Sequence, residues 1–421
     1  MTDASPSRRA DSWKWWVCGL LLLASTINYM DRQTLANAAV RITREFQLSQ
    51  AQYGNLEWVF GWAFAAGSLA FGFVVDRWSV RWVYPAVLLL WSAVGFATGF
   101  VESYGGLLLC RTALGLFEGG HWPCAIKTTQ RLLASRDRSM GNSVLQSGTS
   151  IGAILTPQLM RLLLTDEPGS WRIAFQAVGV VGLLWIVGWF WVVRPGELEA
   201  EPPRTGAPDE GGDLGAFCRG LLTRRMAAVL VIIALINTAW QILRAWLPKF
   251  LQEGRGYTES AALNFNSLFY VATDIGCLGA GALTVWLARR RGWSVHASRS
   301  GVFLGCSLLT ALSTAVPFLP KGFALEVTLL LVGAGALAVF PIYHALTQEI
   351  SPRHQGKVTG VASLAAWGLG PPLQRGFGIL VDRTGSFDLG FAIAGWLPVG
   401  AMLALWLLWT PDPRPAEESP R

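Results

Sequence analysis

The stretch WRIAFQAVGVVGLLWIVGWFWVV, from Trp171 to Val193, carries a single charged side chain, Arg172, in its first turn. At about 1.5 Å of rise per helical residue, such a run reaches across a bilayer hydrocarbon core of roughly 30 Å. It has no polar stripe at helical spacing and so no face to turn to water, which makes it a membrane span. Comparable runs lie at Trp13 to Ala39, Gln52 to Val75, Trp82 to Val101, Tyr104 to Ile126, Met140 to Leu164, Met226 to Leu251, Ala261 to Ala288, Gly301 to Phe318, Leu325 to Gln348, Val358 to Val381 and Leu389 to Trp409, giving twelve in all. The expected fold class is therefore an all-α membrane protein.

Composition excludes a soluble globule. With 52% apolar residues, 14% charged residues and a mean hydropathy of +0.39, the 421-residue chain lacks the polar surface that water would require. Its 21 Trp suit a chain whose surface crosses two membrane interfaces, and its 46 Gly allow close helix contact. Arg8, Arg9 and Lys14 before the first apolar run, with Ala36-Asn37-Ala38 after it, resemble a cleavable leader. Asp31 and Arg32 stand where a small neutral cleavage region belongs, and losing the run would leave an odd number of spans, so the run is read as the first helix.

Most of the 34 Lys and Arg fall in loops that share one side when both termini are placed in the cytoplasm. The anchors are Arg77 and Arg81, then Lys127, Arg131, Arg136 and Arg138, then Arg219, Arg224 and Arg225, then Arg289, Arg290, Arg291 and Arg299. The net charge of +7 thus reports topology, and its dispersal over separate loops argues against nucleic acid as a partner. The six Cys are scattered, mostly within apolar runs, with no metal-ligand spacing, and read as small core residues. No metal or cofactor is expected, nor an enzyme, because HExxH and paired-carboxylate metal motifs are missing from the sequence.

Six runs precede a polar stretch, Arg194 to Arg225, rich in Pro, Gly and mixed charge, and six follow it. The expected organisation is an N-terminal bundle over 1–193, a cytoplasmic linker over 194–225 and a C-terminal bundle over 226–421. A basic turn recurs between the second and third helices of each half, at Asp76 to Arg81 and Arg289 to Arg299. Two pseudo-symmetric six-helix bundles are a mark of secondary carriers that rock around a midplane site.

Charges inside the runs cost even on the lower scales about 2.5 to 3.5 kcal/mol each at a helix centre, so they mark function by default. Asn28-Tyr29-Met30-Asp31-Arg32 closes the first run, and Arg111-Thr-Ala-Leu-Gly-Leu-Phe-Glu118 lies inside the fourth. Arg111 and Glu118 are two helical turns apart on one face, about 10 Å along the axis, and His121 follows nearby. Gly119, Gly120 and Pro123 let this helix bend. The plainer readings are a helix end at the outer interface for Asp31 and Arg32, a static ion network for Arg111 and Glu118, and a buried neutral histidine for His121. For Arg244, near the outer end of the seventh run, the plainer reading is snorkelling to the headgroups, and Asp274 lies midway along the eighth helix, the roles of both being left open.

Three of these stretches resemble the anion:cation symporters of the major facilitator superfamily, over nearly the whole chain. Asn28-Tyr-Met-Asp-Arg32 is similar to their N-Y-x-D-R signature, Gly72-Phe-Val-Val-Asp76-Arg77-Trp-Ser-Val-Arg81 to the superfamily's G-x-x-x-D-R-x-x-x-R loop, and Arg111 with Glu118 to R-x-x-x-G-x-x-E of helix four. The likeness is to bacterial hexuronate, glucarate and galactonate carriers and implies the major facilitator fold, a bacterial inner membrane location and proton-coupled symport of a sugar acid. It implies proton carriers at Asp31 and Glu118, and substrate contacts at Arg32, Arg111, His121, Phe64, Gln241 and Trp367. The implied conformational gate is Gly72, Asp76, Arg77, Arg81, Arg136 and Arg138. The chain is expected to work as a monomer, its partners being protons, a small organic anion and the bilayer.

The resemblance has departures. Phe64 stands where many such carriers have Tyr, Ser68 where Gln is frequent, Trp367 where Asn is found, and Val285 and Trp286 where the second basic loop would offer Asp. A drug/proton antiporter shares the loop motif, but Ser147 to Pro157 lacks its G-x-x-x-G-P stretch. A non-transporting solute receptor would need a signalling region that the tail Thr410 to Arg421 is too short to form.

Overall fold

In lipid a backbone can satisfy its polar groups only within its own helix or in a closed barrel, and the apolar runs here show no strand alternation. The computed structural model describes residues 12–133, 138–167, 169–198, 223–350 and 355–409. Arg136, the 199–222 part of the expected linker and the tail from Thr410 to Arg421 lie outside them. Among the described residues there are helices and no strand.

The first half forms α1 (Ser12–Glu45), α2 (Gln50–Arg77), α3 (Val80–Thr98), α4 (Tyr104–Glu118), α5 (His121–Leu132), α6 (Arg138–Leu163) and α7 (Trp171–Val192). The second forms α8 (Arg224–Lys249), a π turn (Phe250–Gly254), α9 (Glu259–Arg290), α10 (Val295–Ala311), a 3-10 turn (Leu312–Phe318), α11 (Phe323–Ala338), α12 (Phe340–Ile350), α13 (Gln355–Thr384) and α14 (Asp388–Leu408). These make twelve spans, α4 with α5 and α11 with α12 each forming one span in two pieces. The first interruption falls at Gly119-Gly120, next to Pro123 in the opening turn of α5, where a proline costs no hydrogen bond.

By length and composition eight of the described spans are apolar enough to cross a membrane. Those that fall short are α4 and α5, of 15 and 12 residues and each too short alone, and α1, α6 and α13, which bury polar groups such as Asp31, Thr156 and Gln374. Elsewhere large apolar side chains face outward, as with Trp191 and Phe323, each 82% exposed, which suits contact with lipid and not with water.

The chain partitions into two compact units. The first comprises Met1–Thr205, Arg244–Val271 and Pro371–Gly390, and the second Gly206–Leu243, Ala272–Gly370 and Phe391–Arg421. In the second, an apolar core that includes Val229, Ile232, Phe303, Ala362 and Leu405 is fixed by polar ties to backbone, with Asn237 Nδ2 donating to Ala366 O at 2.7 Å and Ser307 Oγ to Pro398 O at 3.1 Å.

In the first unit α1 packs on α6 and α7, α2 on α4, and α3 on α7. The segments Arg244–Val271 and Pro371–Gly390 are tied to α1 and α2. Arg41 grips Glu259 with both ends of its fork at 2.7 and 2.6 Å, Lys249 Nζ donates to Thr43 Oγ1 at 3.0 Å, and Tyr53 OH donates to Ala245 O at 2.8 Å. Gly54 of α2 comes so near α13 that a Cβ there would meet Gln374 O at 2.6 Å. The start of α2 is capped twice: Ser49 and Gln52 form a capping box, and the Asp382 carboxylate accepts from Gln50 N and Ala51 N, both at 2.8 Å. Replacing Asp382 by Ala is expected to cost about 0.5 to 2 kcal/mol, the usual worth of a helix N-cap, read as a lowered melting temperature of the purified protein. An unchanged melting temperature would show that the second cap is redundant.

Candidate functional site

The charged motifs of the first and fourth spans meet inside the first unit. Arg32 of α1 donates from Nε to Glu118 Oε2 at 2.8 Å, and Asn28 Nδ2, one turn earlier, donates to the same oxygen at 3.2 Å. Glu118 is fully buried and its other oxygen, Oε1, has no partner. It is the last residue of α4, so the break at Gly119-Gly120 places the carboxyl at a helix end.

Asp31 differs from its neighbour. It is 1% exposed, and neither of its carboxyl oxygens has a hydrogen-bond partner. Successive helical residues point about 100° apart, so Asp31 leaves α1 on a different side from Arg32. Gly95 of α3 lies there, and a Cβ at that position would come within 2.9 Å of Asp31 Oδ1, so the absence of a side chain on α3 makes room for the carboxyl. Glu118, Arg111 and Arg32 are the charges within electrostatic reach.

Arg111 pairs with neither of these acids. Its Nη2 meets Glu57 Oε1 at 3.2 Å, and Arg244 Nη2 meets Glu57 Oε2 at 2.5 Å, all three side chains being 3% exposed or less. The plainer reading of Arg244 is overturned, and Arg111 gains a partner that the motif spacing does not name. Arg244 does not snorkel to the headgroups, because a buried carboxylate holds it, and the acid beside Arg111 is Glu57 on α2 and not Glu118 on its own helix. Glu57 was not singled out from the sequence. The available signal was simple: a lone carboxylate inside the apolar run Gln52 to Val75 is as costly as the charges that were noticed.

Beneath these ions lies an aromatic floor from the same face of α2. Phe60, one turn after Glu57, has the Arg111 guanidinium 4.2 Å and that of Arg32 5.4 Å from its ring centre, and Phe64 has Arg32 at 4.5 Å. Phe64 thus meets a guanidinium with a ring face where a Tyr would add a hydroxyl. The cluster holds three carboxyls, Asp31, Glu57 and Glu118, and three guanidiniums, Arg32, Arg111 and Arg244. Arg111 keeps Nε and Nη1 without partners, two donors in a planar fork of the kind that grips a carboxylate.

The other expected residues have their own surroundings. His121 is fully buried with both ring nitrogens engaged, Nε2 at 3.0 Å from Ser25 Oγ and Nδ1 at 3.0 Å from Tyr84 OH, between Tyr84, Trp91 and Trp122. This arrangement leaves it no nitrogen for a substrate. Gln241, buried, and Trp367, half-buried, belong to the second unit, as does the half-buried Asp274. Of the expected gate, Gly72, Asp76 and Arg77 end α2, and Arg81 in the first turn of α3 donates from Nε to Val193 O at 3.3 Å with Trp82 and Phe190 against its guanidinium. Arg138 opens α6, and the side chains of Asp76 and Arg138 lie outside the described residues, as does Arg136. Among the described residues no group of His, Cys, Asp and Glu is placed to hold a metal ion.

Comparison with known proteins gives a consistent picture. The sequence profile described as the Major Facilitator Superfamily matches residues 21–374. A probable sulfoacetate transporter of Cupriavidus necator is 26% identical over 408 residues, covering 93% of each chain. A probable L-galactonate transporter of Escherichia coli is 26% identical, covering 94% of this chain and 90% of its own. A hexuronate transporter of Bacillus subtilis is 27% identical, covering 91% and 92%. Among solved structures, a bacterial homolog of the human lysosomal transporter Spinster, inward-facing and unoccupied, superposes with a TM-score of 0.73 at 18% identity, covering 95% of this chain and 96% of its own. A D-xylose-proton symporter gives 0.71 at 16%, covering 94% and 97%.

Proposed function

The chain belongs to the Major Facilitator Superfamily, as a membrane transporter and not an enzyme, and on that premise we propose that it carries a small organic anion together with protons by alternating access of its N-terminal and C-terminal bundles. The proposed cargo is a carbohydrate acid, a hexuronate, aldarate or aldonate. The setting is a bacterial inner membrane with both termini in the cytoplasm.

One observation carries the reading: Asp31, buried and without a hydrogen-bond partner, stands beside an Arg32–Glu118 ion pair. A lone carboxylate in such a place is held poorly, and a proton is the smallest thing that settles it. Protonation of Glu118 ends its claim on Arg32, whose guanidinium then accepts another carboxylate, so proton and anion enter the chamber together. Arg111 offers its free Nε and Nη1 to the same anion over the Phe60 ring. His121, with both nitrogens engaged, is left out of substrate contact, and Asp76 with Arg81 keeps the proposed gate role.

The relatives named above carry, by their names, anions that each bear a carboxylate. A second cargo, a short dianion such as sulfoacetate, is favoured by Phe60 and Phe64, which offer ring faces and no hydroxyl partner for a polyol. Proteoliposomes with an inward proton gradient test both, by uptake of labelled D-glucuronate, D-galactonate, D-glucarate and sulfoacetate. Accumulation above equilibrium of one or more, abolished when the gradient is collapsed, is expected. Resistance to lipophilic cations in overexpressing cells, without uptake of any of the four anions, would favour a drug/proton antiporter instead.

A further inference from the structure

Glu57 has no part in the proposed proton step, yet both of its carboxylate oxygens are held. Its two oxygens go to guanidiniums from different helices, Oε1 to Arg111 of α4 and Oε2 to Arg244 of α8, at 3.2 and 2.5 Å. We propose that Glu57 is a tethered counter-anion, which in the empty carrier holds the place on Arg111 and Arg244 that a substrate carboxylate takes, and which thereby pins α2 to α8.

Arginine does not give up its charge inside proteins, so a chamber built to bind an anion faces a difficulty when the anion has left. Two guanidiniums on facing helices would then repel each other in a place that water reaches poorly. Glu57 removes that repulsion from within. It also presents the geometry a bound carboxylate would have, one oxygen to each arginine. Displacing it is local, because Arg111 contacts it through Nη2 alone while Nε and Nη1 stay open. The Phe60 ring, 4.2 Å from the Arg111 guanidinium, keeps that group in position while its partners change. Tyr53 OH, one turn before Glu57, ties the same two helices again by donating to Ala245 O at 2.8 Å, and Glu57, Arg111 and Arg244 are all buried.

After the cargo leaves, Glu57 closes on both arginines and holds this end of α2 against α8. When a carboxylate enters, it bridges the arginines itself and Glu57 swings free. The cost is self-inhibition, since every anion competes with a group that cannot diffuse away.

The test uses full-length protein in nanodiscs, in a background lacking native cysteines, with Asn37→Cys as reporter. Asn37 is 1% exposed on α1 and accepts from Asn266 Nδ2 at 2.8 Å, so a thiol there reacts with an impermeant maleimide only when the first unit opens. Glu57→Gln should label faster than the parent, and so should Arg244→Gln. Added D-glucuronate, L-galactonate or sulfoacetate should slow labelling again in Glu57→Gln and not in Arg244→Gln, because the anion needs both arginines to replace the pin. If Glu57 occupies its site about nine-tenths of the time, its removal tightens anion binding about tenfold. Unchanged labelling in Glu57→Gln would remove the pin, and weaker binding in that variant would make Glu57 a substrate contact instead of a competitor. Should Glu57→Gln fail to fold, Glu57→Asp keeps the charge but draws it back from Arg244, and labelling as slow as the parent's would equally overturn the proposal. The binding arm rests on the reading of Arg111 as an anion anchor. The labelling of the empty protein does not, so a chain that binds none of the probes rejects the anion reading while labelling still decides the role of Glu57.

Discussion

Asp31→Asn is expected to leave folding and substrate exchange intact and to abolish accumulation driven by a proton gradient. The change is nearly isosteric and removes no hydrogen bond, because both oxygens of Asp31 are without partners. It also ends the burial of a lone carboxyl, so the melting temperature should hold or rise. What disappears is a group that can take and release a proton. At a membrane potential of 100 mV one coupled charge is worth about 2.3 kcal/mol, or about 50-fold in the accumulation ratio. The measurement is paired uptake and counterflow in proteoliposomes: counterflow near the parent's with uptake no longer above equilibrium. Glu118→Gln should behave likewise in transport but lose stability, since it breaks the 2.8 Å pair with Arg32. If both variants keep gradient-driven uptake, the proton lies on some other group.

Arg111→Ala should abolish substrate binding. Truncating one partner of a buried, hydrogen-bonded charge pair costs about 2 to 5 kcal/mol, which is roughly 30-fold to several thousand-fold in affinity. Two effects combine in that figure, the lost donors at Nε and Nη1 and a Glu57 left with Arg244 alone. Arg111→Lys should rescue poorly, because an ammonium has no planar fork and rests less well over Phe60. Binding of the tested anions by the Arg111→Ala protein, measured by thermal shift at concentrations that saturate the parent, would take the anion anchor away from Arg111.

Much of the architecture is legible in the residues because lipid is an undemanding solvent to predict. A run such as Trp171 to Val193 needs no knowledge of its neighbours to be assigned to a span, and the pause at Gly119-Gly120 is written locally in residues that resist a continuous helix. The charges at Asp31, Arg32, Arg111 and Glu118 are also visible, since each stands out against an apolar background. Glu57 stands out in the same way, but it belongs to no motif, whereas the other four fall within family patterns. Arg244 conceals its partner for a different reason. Its position near the end of an apolar run fits snorkelling, and nothing in α8 reveals the carboxylate that draws it inward.

The sequence by itself determines a twelve-span helical membrane protein and the presence of ionised groups within its first half, because apolar run length and the penalty for charge in hydrocarbon act on each segment separately. Which ion meets which is decided only by the tertiary structure. Arg111 and Glu118 share a helix face yet take Glu57 and Arg32 as partners, while Asp31, adjacent to Arg32 in the chain, is left without one. Coulomb energy depends on distance in space and on the water excluded from between the charges, and both are set by how α1, α2, α4 and α8 pack.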